Sequence, residues 1–120
     1  MRLSRRVGIV GGLFVAAMSV VGPSVAQQNI PWTWNSGDED ARARFESTGE
    51  IFYGQDHAGN GYVDWSASGY GSSRWEIPGN SGSTYDLNQS FVEGRSVSMQ
   101  VCQRHDQFPD DCSSTKYGVS

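Results

Sequence analysis

From Gly49 to the C-terminus the chain never keeps one character for more than a few residues. Short runs rich in β-branched and aromatic residues are cut by clusters of Gly, Asn, Ser and Pro. An amphipathic helix needs an apolar stripe sustained over about ten residues or more, and this punctuation does not allow one. It is the pattern of short strands joined by tight turns. The clearest run is Arg95 to Arg104, where Val97, Met99 and Val101 share one face and Ser96, Ser98, Gln100 and Cys102 the other. In Gly61 to Ser68, Val63, Trp65 and Ala67 alternate with Tyr62, Asp64 and Ser66. Side chains of a strand point to opposite faces in turn, so both runs read as strands with one buried face.

Four weaker runs complete the pattern. Glu50 to Gly54 places Ile51 and Tyr53 opposite Phe52. Arg74 to Ile77 pairs Trp75 with Ile77, and Thr84 to Asn88 follows the Pro78–Gly82 turn. A last run after Cys112 alternates Thr115, Tyr117 and Val119 with Ser114 and Lys116. Gly59-Asn60-Gly61 is the strongest turn signal. About six short strands with glycine-rich turns predict an all-β fold, a small antiparallel β-sandwich.

The start of the chain has a different character. Arg2, Arg5 and Arg6 precede an apolar run from Val7 to Val21, and Ser24-Val25-Ala26 closes it with small residues. This layout predicts a signal peptide over residues 1–26 and a secreted, extracellular protein. Residues 27–47 then read as a flexible N-terminal arm. It carries Trp32, Trp34, the acidic run Asp38-Glu39-Asp40 and a short helix-like stretch, Ala41 to Arg44. Residues 48–120 form the expected sandwich domain.

Charge narrows the partners. The chain has 9 basic and 13 acidic residues, and three arginines belong to the leader. The remainder is acidic, which disfavours nucleic acid and anionic membrane surfaces alike. Cys102 and Cys112 are the only cysteines. In an exported domain they are expected to form a disulfide worth roughly 2–3 kcal/mol. Cys102 lies on the face opposite Val101, so the bridge should pin the intervening loop at a sheet edge and not link the two sheets.

Catalytic signals are weak. His57 follows Asp56 and His105 precedes Asp106, but neighbours on an extended chain point in opposite directions. No Gly-x-Ser-x-Gly turn is present. Asp38, Glu39 and Asp40, or Asp110 and Asp111, offer oxygen ligands of the calcium kind, and Asp56 to Asn60 faintly resembles a calcium loop. Ala58 and Ala67 stand where that loop needs ligands. The expectation is therefore no catalytic residue, no metal and no cofactor. Exposed aromatics are more informative. Trp32 and Trp34 on the arm, and Tyr62 and Tyr70 among Ser, Gly and Asn, have the composition of adaptable binding surfaces. The loop closed by the disulfide adds Arg104, His105 and Phe108, stiffened by Pro109.

Three stretches resemble a family of small exported proteins of actinobacteria of the Streptomyces type. They are Asp56 to Trp65, Glu93 to Val97 running into Val101-Cys102, and Asp111-Cys112-Ser113-Ser114. The resemblance implies a single β-sandwich with one disulfide and carries no activity with it. Size, export and layout also resemble the small adaptor subunits of secreted antibacterial toxin particles. The expected function is a secreted, non-enzymatic module that binds an extracellular protein partner, as an adaptor of a secreted assembly. The alternative is a carbohydrate-binding or antimicrobial effector.

Overall fold

The computed structural model describes residues 26–120. The expected signal peptide falls almost wholly outside the described residues. Among the described residues nine strands follow in order: β1 (Ile30–Trp34), β2 (Ala41–Glu46), β3 (Ile51–Asp56), β4 (Gly61–Ala67), β5 (Gly71–Glu76), β6 (Tyr85–Asn88), β7 (Ser96–Gln103), β8 (Asp111–Cys112) and β9 (Lys116–Val119). Two antiparallel sheets pack as a small β-sandwich. One has the order β9–β7–β4–β5, with β8 pairing the end of β7; the other has the order β1–β2–β3–β6.

The alternating faces meet in the middle. Val63, Trp65, Ala67, Val97, Met99 and Val101 point inward from the first sheet, and Ile30, Ala41, Ala43, Phe45 and Phe52 from the second. Ile77 and Phe91, on the connections that cross between sheets, seal the ends. The Gly59-Asn60 signal marks such a crossing and not a hairpin, since β3 and β4 belong to different sheets. Both residues sit at positive φ, 90° and 65°. Asp56, buried at the end of β3, organises this crossing. Its Oδ1 accepts the N–H groups of Ala58 and Gly59, and its Oδ2 accepts that of Gly61 at 2.7 Å. A Cβ at Gly61 would meet Ala41 Cβ at 2.9 Å, so the close approach there needs glycine.

Residues 27–47 are not a flexible arm. They supply β1 and β2, half of the second sheet, and Ile30, Ala41, Ala43 and Phe45 are fully buried. The helix expected at Ala41 to Arg44 is strand β2. The physical reason is cross-strand pairing. Ala43 lies opposite Gly54, and Phe45 opposite Phe52, with ring centroids 4.9 Å apart. Ahead of β1, Gln28 exchanges two backbone hydrogen bonds of 2.9 Å with Val119, which ties the N-terminal segment to the edge of the first sheet. The strand expected after Cys112 is β9, and the short β8 precedes it on the same edge of β7, at the end of the stapled loop.

Candidate functional site

The irregularity in β1 sets the first part of the site. Ile30 faces Phe45 and Thr33 faces Ala43, so the register shifts between them. Without that bulge, at Pro31 and Trp32, regular alternation would put Ile30, Trp32 and Trp34 on one face. With it, Ile30 stays in the core and both tryptophans turn outward, half-buried. There they meet the outer face of β2. The Arg42 guanidinium lies 4.3 Å from the Trp32 ring centroid and 5.1 Å from that of Trp34. Arg44 lies 4.3 Å from Tyr53, its cross-strand partner, and 5.5 Å from Trp32. Arg42 Nε donates to Gln55 Oε1 at 2.7 Å, which fixes the guanidinium between the rings. His57 stacks on Trp34 at 6.1 Å.

The tryptophans also line a shallow hollow of about 450 Å³ at the seam between sheets. Its other wall is Ser113, Ser114 and Lys116, immediately after the disulfide. Cys102 and Cys112 are bonded and directly opposite each other on β7 and β8. The bridge therefore lies within one sheet at its edge, as the alternation predicts, and it is compatible with an extracellular protein.

The stapled loop folds over the outer face of the first sheet. Tyr62, expected as an exposed contact, is only 3% exposed. The guanidinium groups of Arg74 and Arg104 lie 4.0 and 4.6 Å from its ring centroid, and its hydroxyl donates to Asp110. Arg104 is itself held by Glu76 through two hydrogen bonds of 2.5 and 2.6 Å. That pairing holds the Glu76 carboxyl below the usual carboxylate range. Tyr62 and Arg104 are thus used in fastening the loop. Tyr70 is 42% exposed, as expected, although its ring also packs 5.0 Å from Phe91 and its hydroxyl accepts the Val92 N–H at 2.8 Å. Phe108 remains 73% exposed at the loop tip.

Burial, with the Asp110 hydrogen bond and charge, pushes the Tyr62 phenol up to about 12. The neutral phenol is favoured in the folded state, so its stabilising contribution is present below the ordinary value of 10 and is lost as pH rises through about 12. An alkaline absorbance titration should show a late phenol step at about 12, and Tyr62→Phe should remove it. A late step that persists in the variant would refute the assignment.

His105, at the start of the same loop, reaches a third group. Its Nε2 lies 2.7 Å from Asp111 Oδ2 and 3.7 Å from Asp38 Oδ2, in the β1–β2 turn. The Asp111 hydrogen bond and the charges of Asp111, Asp38 and Asp110 hold the imidazole above its ordinary range. The site thus joins the seam hollow, with Trp32 and Trp34 at one end, to a His–Asp–Asp cluster at the other. Ser36 leads into the Asp38 turn, and Asp111 lies two residues before Ser113. Arg42, Arg44 and Tyr53 were not among the expected contacts, although Ala-Arg-Ala-Arg at strand spacing does put both arginines on one face. Asp56, whose two oxygens are taken by backbone N–H groups, has no part in a pair with His57. Comparison with known families, with curated proteins and with solved structures finds no match for this chain.

Proposed function

We propose that this chain is a secreted, non-enzymatic protein-binding module, an accessory subunit of an extracellular assembly. Trp32 and Trp34, stacked with Arg42 over the seam hollow, carry the reading. Tryptophan, tyrosine and arginine dominate interface hot spots, because they bury large rigid surfaces at low conformational cost. Here the guanidinium groups already fix the rings, so little ordering is left to a partner. Phe108 is a second anchor. The likeness to small exported actinobacterial proteins and the disulfide support the extracellular compartment. The test is a pull-down from culture supernatant with tagged residues 27–120, comparing the native chain with Trp32→Ala/Trp34→Ala. Loss of two hot-spot residues, at about 2 kcal/mol or more each, should weaken capture by at least about 30-fold for either one and by several hundred-fold where the two losses add. Recovery of the same partner by both proteins, or of none by either, would defeat the reading.

One observation favours carbohydrate binding as a second reading. The outer face of the first sheet bears a shallow trough of about 420 Å³ lined by Asp64, Ser66, Ser72, Arg74, Ser98 and Gln100 among others. Tyr117 stands beside Ser98, its cross-strand partner, and is 69% exposed. Small hydroxyls beside an exposed ring suit a sugar. This reading expects binding to cell-wall polysaccharide that Tyr117→Ala abolishes and the tryptophan variant leaves intact.

A further inference from the structure

We propose that Asp38, His105 and Asp111 form a binding site for one divalent first-row transition ion, of the Zn²⁺ kind, that ties the β1–β2 turn to the stapled loop. The three donors come from separate segments: a turn, the start of a loop and strand β8. One ligand atom of each lies within 4.8 Å of the others. Two atoms bound at about 2.0–2.1 Å to a tetrahedral ion stand about 3.3–3.4 Å apart. The imidazole-to-carboxylate separations of 2.7 and 3.7 Å bracket that value, so a small adjustment of two partly exposed side chains would seat the ion.

Two of the three donors, Asp38 and Asp111, are also held in place from behind. Asp38 Oδ1 accepts from Asn35 Nδ2 at 2.9 Å, which leaves Oδ2 facing His105. Asn35 is itself buried, and its Oδ1 accepts the Ala41 N–H at 2.9 Å. Asp111 is fixed by pairing with Gln103 and by the adjacent disulfide. Outer-shell support of this kind orients ligands and raises affinity. The turn comes close because Gly37 has no side chain; a Cβ there would stand 3.0 Å from Asp111 Oδ2. The chemistry selects the ion. Calcium and magnesium favour six or more oxygens, whereas one imidazole with two carboxylates suits zinc and its neighbours. Three protein donors leave a fourth position open to water or to a partner's ligand.

The test uses the oxidised chain, residues 27–120, freed of metal with EDTA and titrated calorimetrically with Zn²⁺ at pH 7.5. Saturation at one ion per chain is expected, and Co²⁺ in its place should give the visible bands of a four-coordinate site. Asp38→Asn and His105→Gln should each weaken binding by at least about 100-fold, beyond the usual cost of an outer-shell loss. Both side chains are at least partly exposed, so each variant should keep the native circular dichroism spectrum. His57→Ala should bind as the native chain does. Absence of saturable binding, unchanged binding in His105→Gln, or equal affinity for Ca²⁺ would each overturn the proposal. The first of these would leave His105 as an ion-pair clamp alone.

Discussion

A chain beginning at residue 48 will not fold. Removing residues 27–47 takes away β1 and β2, two of the four strands of the second sheet, and with them Ile30, Ala41, Ala43 and Phe45 from the core. Truncating a buried phenylalanine alone costs about 3–5 kcal/mol, and burial of an isoleucine contributes about 1.5–3 kcal/mol. The whole stability of a small domain is only about 5–15 kcal/mol. The deletion would also leave the inward face of β3 open and turn β3 into a bare edge. Far-UV circular dichroism and thermal melting of residues 48–120 against 27–120 provide the test. A cooperative melt with a β-sheet spectrum in the shorter chain would show that the first two strands are dispensable. A binding experiment based on that deletion would therefore read folding and not contact, which is why the surface pair Trp32 and Trp34 is the better probe.

The strand character of residues 41–46 is hidden in the sequence for a physical reason. Alanine and arginine rank among the better helix formers, so Ala41-Arg42-Ala43-Arg44 looks helical taken alone. The alanines are there because β2 lies close to its neighbours: Ala41 abuts Gly61, and Ala43 faces Gly54 across the sheet. Tertiary packing decides the conformation, and no local signal reports it. In contrast, β4 and β7 were legible because each keeps strict alternation over a full strand with one face buried. The same alternation placed Cys102 opposite Val101 and so put the disulfide at the sheet edge. It also placed Tyr62 outward, correctly, but could not show what covers it. The hydroxyl's partner, Asp110, lies 48 residues further on. The His105 cluster was hidden in the same way, since Asp38 and Asp111 read as two separate acidic groups until the turn and the loop are brought together.

Phe52→Ala should be the most damaging single substitution in the core. Phe52 is fully buried near the start of β3, paired with Phe45 on β2 and Leu87 on β6. Its ring lies 5.5 Å from Trp65 on the facing sheet and 6.5 Å from Phe91 on a crossing connection. It is therefore a point where both sheets and one connection meet. The substitution loses the transfer free energy of the ring and leaves a cavity, and no neighbour can fill the gap from one side without leaving another. A loss of about 3–5 kcal/mol is expected, enough to lower the melting temperature of a domain this size by more than about 10 °C. Phe52→Leu should cost less, because the cavity is smaller. Phe108→Ala, at the exposed loop tip, should stay within about 0.5 kcal/mol of the native chain. Urea unfolding with an unchanged slope would measure all three. If Phe52→Ala fell no further than Phe108→Ala, the aromatic cluster would not be what joins the sheets. If the order holds, loss of partner capture in Phe108→Ala can be read as a lost contact, because the fold beneath it is intact.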